Sequence, residues 1–249
     1  MASRWLGRRY LVSIGRVRIP SYSAMLYLGC VAGIGAGAEI ARRDGLDPMR
    51  FALAAVVLLV PALVGSRLWY VLQNLEVFRA EPRRIWRQGE GGSALDGGII
   101  LMVAVSVPLL ALAGIPFWQF WDAASISLII GCIITRFGCT MHGCCAGRPT
   151  TGPVGWWLPN HRGEWRRRFP TPLMEAGWCT ILLAAALLWR FYMPLAGALF
   201  PLVIALYTVG RIALEPTRES ADPARTVRFN IIVASLLFAV ALATLIYRS

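Results

Sequence analysis

The sequence predicts an all-α integral membrane protein with seven transmembrane helices, and three observations carry that prediction. Of 249 residues, 57% are hydrophobic and 15% charged, with a mean hydropathy of +0.59, too apolar for an ordinary water-soluble domain. Apolar stretches recur at the length set by a hydrocarbon core about 30 Å thick, roughly 20 helical residues each. Ionisable residues are few in these stretches and gather towards their ends, as expected where a charge in hydrocarbon must face protein or a cavity.

Seven stretches meet the length criterion: 21–41, 51–73, 97–115, 117–135, 173–191, 194–213 and 229–247. The first follows MASRWLGRRYLVSIGRVRIP, which imitates the basic and apolar parts of a signal peptide. Its apolar part is too long for one and further spans follow, so it is expected to stay as the first helix. The third and fourth are separated by little more than Gly114, Ile115 and Pro116, which predicts a tight antiparallel hairpin with no room for an external domain. Residues 1–249 are therefore expected to form a single seven-helix domain. An odd number of spans puts the termini on opposite sides, and the long connections 73–96 and 136–172 then share the N-terminal side with the connection after span six.

All 25 basic residues are arginine, and 13 acids leave a net charge of +12. Guanidiniums bind phosphate through paired hydrogen bonds, so membrane lipids with anionic headgroups are the expected partners and nucleic acid is not. On the N-terminal side lie 20 arginines against 5 on the other, and the positive-inside rule alone would make that side cytoplasmic.

Glu39, Arg67, Asp122, Arg136, Glu175, Arg190 and Arg211 lie in or at the ends of the apolar stretches. Arg67, Asp96, Arg136, Glu175 and Arg211 are predicted at one membrane face, each at the end of a different span, which suggests a polar site. LDGGII opens the third span with Gly97 and Gly98 after Asp96, a pattern that lets a ligand approach the backbone and leaves the first helical amides free for an anion. In LYTVGRIALE, Tyr207, Arg211 and Glu215 recur every four residues and share a helix face. The triplet Arg166, Arg167 and Arg168 reads as a solvated or headgroup-facing loop.

The richest stretch is TRFGCTMHGCCAGRPT, 135–150. Cys139, His142, Cys144 and Cys145 supply atoms for a metal, although CxxHxCC lacks the paired CxxC spacing of common zinc sites. A low-pKa thiol beside Arg136 or His142 would suit redox chemistry. Arg136, Gly138, Gly143, Gly147 and Arg148 would form a flexible loop with two guanidiniums that cradles a phosphate. No tightly held metal is expected, because Arg136 and Arg148 would oppose a cation. Cys30, Cys132 and Cys179 fall in apolar runs and read as packing residues.

This stretch resembles, without a gap, the signature of the prolipoprotein diacylglyceryl transferases, approximately G-R-x-G-N-F-x-N-x-E-x-x-G-R-P-T. Arg136, Gly138, Gly147, Arg148, Pro149 and Thr150 match, while Cys139, His142 and Cys144 replace the family's two Asn and its Glu. Tyr22 is similar to the family's tyrosine at the start of span one, and Arg67 with Tyr70 to its G-R-x-x-Y. Leu173, Glu175 and Ala176 match its H-P-S-Q-L-Y-E-A, and Tyr207, Arg211, Glu215 and Arg218 its last motif. Where the family has His-Gly-Gly, this chain has Asp96-Gly97-Gly98.

The resemblance implies transfer of the diacylglyceryl group of phosphatidylglycerol to the lipobox cysteine thiol of a preprolipoprotein, releasing glycerol phosphate, with no metal or organic cofactor. Arg136 and Arg211 would stabilise phosphate charge, and Asp96, in apolar surroundings that favour its protonation, would take the thiol proton. Tyr22, Arg67, Gly97, Gly98, Cys139, His142, Cys144, Gly147, Arg148, Glu175, Tyr207 and Glu215 would bind substrate. The protein would lie in the bacterial inner membrane with its motif face and N-terminus extracytoplasmic and its C-terminus cytoplasmic. Two alternatives stand beside this reading: a divergent paralogue with the same lipid site and another acceptor, and a non-catalytic membrane protein that binds anionic lipid or a metal.

Overall fold

A computed structural model of the chain describes residues 6–14, 17–73, 75–80, 95–160, 162–192, 196–219 and 223–248. In chain order the elements are β1 (Tyr10–Ile14), β2 (Val17–Pro20), α1 (Ser21–Arg43), α2 (Pro48–Gln73), α3 (Leu75–Ala80), α4 (Leu95–Ala113) and α5 (Phe117–His142). After these come β3 (Trp156–Pro159), β4 (Trp165–Arg168), α6 (Thr171–Tyr192), α7 (Leu199–Leu214), a 3-10 turn (Glu215–Thr217) and α8 (Pro223–Arg248). Among the described residues, six helices are long and apolar enough to cross a membrane, and the apolar run Gly97–Ala113 within α4 is shorter. Large apolar side chains such as Val60, Leu112, Leu187 and Leu236 are exposed, the inside-out surface that a lipid solvent allows.

The chain divides into two compact units, 38–120 and 1–37 with 121–249. In the first, α1 ends at Gly45 (φ 79°), whose N–H donates to the Arg42 carbonyl at 3.2 Å while that of Leu46 reaches back to Ala41 at 2.9 Å, a Schellman ending. Asp47 then caps α2 by accepting from the N–H groups of Met49 (2.8 Å) and Arg50 (3.1 Å), with Pro48 as the first helical residue. The expected short turn between α4 and α5 is present and closes with the same chemistry at Gly114 (φ 65°) and Ile115.

Gly97 and Gly98 are buried against α2: a Cβ on Gly97 would lie 2.2 Å from Cβ of Trp69, and one on Gly98 2.8 Å from the carbonyl oxygen of Ala62. The close approach these glycines allow is therefore that of a neighbouring helix, where the sequence pattern suggested a ligand.

In the second unit α1 crosses α5 at glycines. A Cβ on Gly29 would meet the Gly131 carbonyl oxygen at 3.0 Å, one on Gly33 the Ser127 carbonyl oxygen at 2.4 Å, and one on Gly138 Cβ of Met25 at 2.7 Å. Small residues four apart bring helices together where no hydrophobic drive operates between them. Gly210 does the same for α6 and α7, because its missing Cβ admits the Trp178 indole, which donates from Nε1 to the Leu206 carbonyl at 3.1 Å. Buried Asp122 accepts from the backbone N–H groups of Gly197 and Phe200 and so satisfies orphan donors at the start of α7. Asp122 is thus a structural cap.

Two hairpins were not foreseen. β1 pairs antiparallel with β2 and β3 with β4; arginines interrupt the apolar alternation in the first stretch and arginines with tryptophans in the second. The Cβ that Gly7 lacks would meet the Trp165 ring at 2.6 Å, so the N-terminal segment lies against the β3–β4 hairpin.

Candidate active site

α5 ends at His142, not near residue 135, so Arg136, Gly138, Cys139 and His142 are helical rather than part of a flexible loop. The apolar count stops at Arg136, but backbone hydrogen bonding does not, and the helix closes only where Gly143 (φ 79°) donates its N–H to the Cys139 carbonyl at 2.9 Å. The chain after it is held on both sides. Arg148 N–H donates to the Thr217 carbonyl (2.8 Å) and Glu219 N–H to that of Ala146 (3.0 Å), while Thr150 N–H reaches the Arg167 carbonyl (2.9 Å). Gly147 sits where these segments converge, since a Cβ there would come 2.1 Å from the Phe169 carbonyl oxygen. The loop is fixed by pairing, and its glycine serves space.

At the same end of this unit, the end of α5, the start of α6 and the end of α7 meet on one buried carboxylate. Oε2 of Glu175 lies 2.8 Å from Nε of Arg136, and its Oε1 lies 3.4 Å from Nη1 of Arg211 and 3.2 Å from Nε of Arg218. A second buried carboxylate, Glu215, lies 3.2 Å from Nη1 of Arg211 and 3.7 Å from Nε of Arg218 and accepts from the Asn230 amide. Three guanidiniums over two carboxylates leave one surplus positive charge. Nε of Arg211 is buried and has no acceptor among the described residues, an unmade bond that an oxyanion could complete.

Cys132, Arg136, Glu175, Trp178, Cys179, Tyr207, Gly210, Arg211 and Leu214 line a small cavity here, with room for about one water molecule. The expected face of Tyr207, Arg211 and Glu215 is therefore real, and Arg136 and Arg211 reach one centre from different helices. In this conformation that centre is Glu175, and a headgroup phosphate would need the cavity to widen. For Arg218, burial disfavours the charged form, but Glu175 beside it overrides this and holds it protonated.

Tyr22, in the first turn of α1, is near enough to interact with Arg136 and with Cys139, Cys144 and Cys145. His142 turns away, with Nδ1 3.3 Å from the Arg9 carbonyl oxygen. Arg148 is exposed and stacks over Phe169 at 5.4 Å, in place of a second phosphate guanidinium beside Arg136. The Arg166–Arg168 run is not uniformly solvated. Arg168 is 1% exposed, pairs with Glu219 at 2.8 Å and donates to the Gly147 carbonyl at 3.3 Å, whereas Arg166 and Arg167 are exposed.

Arg67 lies in the other unit, its guanidinium over the rings of Tyr70 and Phe78, each at 5.6 Å. Asp96 opens α4, and its side chain is outside the described residues. Arg218 was matched to the last motif without being counted in the site, and Trp178, Cys132 and Cys179 were missed. The signal was helical spacing: Cys132 precedes Arg136 by four positions, and Cys179 follows Glu175 by four.

The family model of prolipoprotein diacylglyceryl transferase matches residues 9–247. Similar proteins named phosphatidylglycerol–prolipoprotein diacylglyceryl transferase include that of Trichormus variabilis, 29% identical over 85% of this chain and 79% of its own. That of Synechococcus elongatus is 30% identical over 85% and 77%. That of Shouchella clausii is 27% identical over 96% and 90%.

Proposed function

The chain belongs to the prolipoprotein diacylglyceryl transferase family, and from that premise we propose that it moves the diacylglyceryl group of phosphatidylglycerol to the lipobox cysteine thiol of a preprolipoprotein. The acceptor thiolate attacks the glycerol carbon that carries the phosphate ester. A C–S bond forms, the C–O bond breaks with its electron pair leaving on oxygen, and glycerol phosphate departs. Charge grows on the leaving phosphate, so catalysis asks for fixed cations in a site of low polarity.

One observation carries the reading: Arg136, Arg211 and Arg218 surround Glu175 and Glu215 with one positive charge in excess, and the buried Nε of Arg211 lacks an acceptor. The carboxylates hold the guanidinium planes before substrate arrives, so little reorganisation accompanies phosphate binding. Tyr22 and Tyr207 are polar partners for the headgroup, Arg67 takes part in lipid binding, and Asp96 accepts the thiol proton. We read α4 as the seventh span and residues 1–249 as one domain in the bacterial inner membrane. The motif face and N-terminus are extracytoplasmic and the C-terminus is cytoplasmic.

Purified protein incubated with phosphatidylglycerol labelled in its acyl chains and a lipobox peptide should yield labelled peptide and free glycerol phosphate. Replacement of the signature Asn, Asn and Glu by Cys139, His142 and Cys144 favours a second reading, the same donor with another acceptor. Glycerol phosphate release with no label on the peptide would establish that reading, and no release at all would overturn both.

A further inference from the structure

Beside the carboxylate core the chain gathers three thiols that carry no bond-making or proton-transfer step in the transfer reaction. Cys139 lies in the last turn of α5, and Cys144 and Cys145 follow the Gly143 turn. Their three Sγ atoms all lie within 4.8 Å of one another. Cys145 itself adopts φ 57°, the one non-glycine residue with positive φ among those described. A β-carbon disfavours this conformation, and such local strain at a cluster of reactive groups points to a use for the arrangement.

We propose that Cys139, Cys144 and Cys145 form a binding site for a thiophilic metal ion of the zinc class, as three thiolates with a fourth position open to water or a ligand. This inference goes beyond the lipid-transfer reading and stands without it.

A zinc–sulfur bond of about 2.3 Å in a tetrahedral site sets sulfurs about 3.8 Å apart, so the cluster needs to contract by about 1 Å. Cys139 is 1% exposed and fixed by packing. Cys144 is half-buried and Cys145 exposed, so these two have room to turn their Cα–Cβ bonds and close on the ion. His142 does not belong to this cluster, and its Nδ1 lies 3.3 Å from the Arg9 carbonyl oxygen.

The charges are favourable once the whole complex is counted. Arg136 and Arg148 would repel a bare cation, the ground on which the sequence argued against a metal. Three thiolates and a divalent ion together carry one negative charge, which the guanidinium of Arg136, 3.9 Å from Sγ of Cys145, offsets. A donor set of sulfur alone selects zinc-class or monovalent copper ions and rejects magnesium and calcium.

The test uses the full chain in detergent, reduced with a phosphine, stripped with chelator and titrated with cobalt(II) as a spectroscopic probe. One cobalt per chain with thiolate-to-metal charge-transfer absorption, displaced by zinc, is expected. Cys139→Ser and Cys145→Ser should abolish the absorption, and Cys30→Ser, in α1, should leave it intact. Cys139 is buried, so its variant could fail to fold. Cys145 is exposed, and its variant, verified by an unchanged thermal transition, decides the outcome. No charge-transfer band in the intact chain, or an undiminished band in folded Cys145→Ser, overturns the proposal. Binding is read without lipid or peptide, so its failure leaves the transfer assay untouched, and failure of that assay leaves the metal site untouched.

Discussion

Glu175 and Arg168 are both buried charged residues, and the difference between their partners sets two predictions. Around Glu175 three guanidiniums share one carboxylate, so Arg136→Ala or Arg211→Ala leaves the carboxylate paired and removes the surplus positive charge. A lost charge-assisted hydrogen bond of about 1.5–3 kcal/mol should lower kcat/KM roughly 10- to 100-fold, with lysine at either place restoring only part because it lacks the two-pronged geometry. Steady-state transfer rates on purified variants check this, and Arg136→Ala with unchanged kcat/KM would remove it from the phosphate site. Arg168→Ala, by contrast, should act on stability. It deprives the Gly147 carbonyl of a donor and Glu219 of its partner, a loss of about 1–3 kcal/mol. Arg167→Ala next to it, on the exposed side of the strand, should unfold at the wild-type temperature.

At the scale of the element, the α1–α5 crossing depends on missing side chains. Gly33→Ala puts a methyl 2.4 Å from the Ser127 carbonyl oxygen and must push the helices apart, at about 1–3 kcal/mol by analogy with overpacked cores. Gly35, two positions on, has nothing within 4 Å of its would-be Cβ, so Gly35→Ala is the matched control and should be neutral. Thermal unfolding in detergent separates the two, and equal behaviour would mean that the helices do not cross at Gly33. The spacing Gly29-x-x-x-Gly33 is legible in the sequence as a packing pattern, whereas its partner surface on α5 is not. Gly131 and Ser127 reveal nothing alone, because a helix–helix contact depends on two faces that lie far apart in the chain.

For the whole molecule, topology and arginine count pull in opposite directions. The start of α1, the end of α5, the start of α6 and the end of α7 carry Tyr22, Arg136, Glu175 and Arg211 within one unit, as alternating spans require. Several arginines that the positive-inside rule would count as flanking charges are engaged by protein: Arg136, Arg211 and Arg218 by carboxylates, and Arg168 by Glu219. A guanidinium neutralised inside the fold is a poor guide to orientation, yet with these four set aside the N-terminal side still holds most of the arginines, so the tally opposes the proposed extracytoplasmic motif face and labelling decides between them. A membrane-impermeant maleimide should reach the exposed Cys145 from the outer side of the inner membrane, and labelling only from the cytoplasmic side would reverse the assignment.

The sequence by itself determined the membrane class, nearly every helix, the short α4–α5 turn and the family, because hydropathy, helical period and motif order are local properties read along the chain. It also placed Arg67, Asp96, Arg136, Glu175 and Arg211 at one face and Glu215 on the helix face of Arg211, of which the structure brings Arg136, Glu175, Arg211 and Glu215 into one cluster. Only the tertiary structure decided what those residues do to one another. It made Glu175 the hub of three arginines, Arg218 among them, and brought Asn230 onto Glu215. It turned Arg168 inward, gave Gly97 and Gly98 to helix packing, and folded Cys144 and Cys145 back beside Cys139. The physical reason is that partners of buried polar groups are chosen by the burial itself. Once lipid or protein excludes water, each such group must find its counter-charge or donor across helices, and no spacing along the chain records which one it finds.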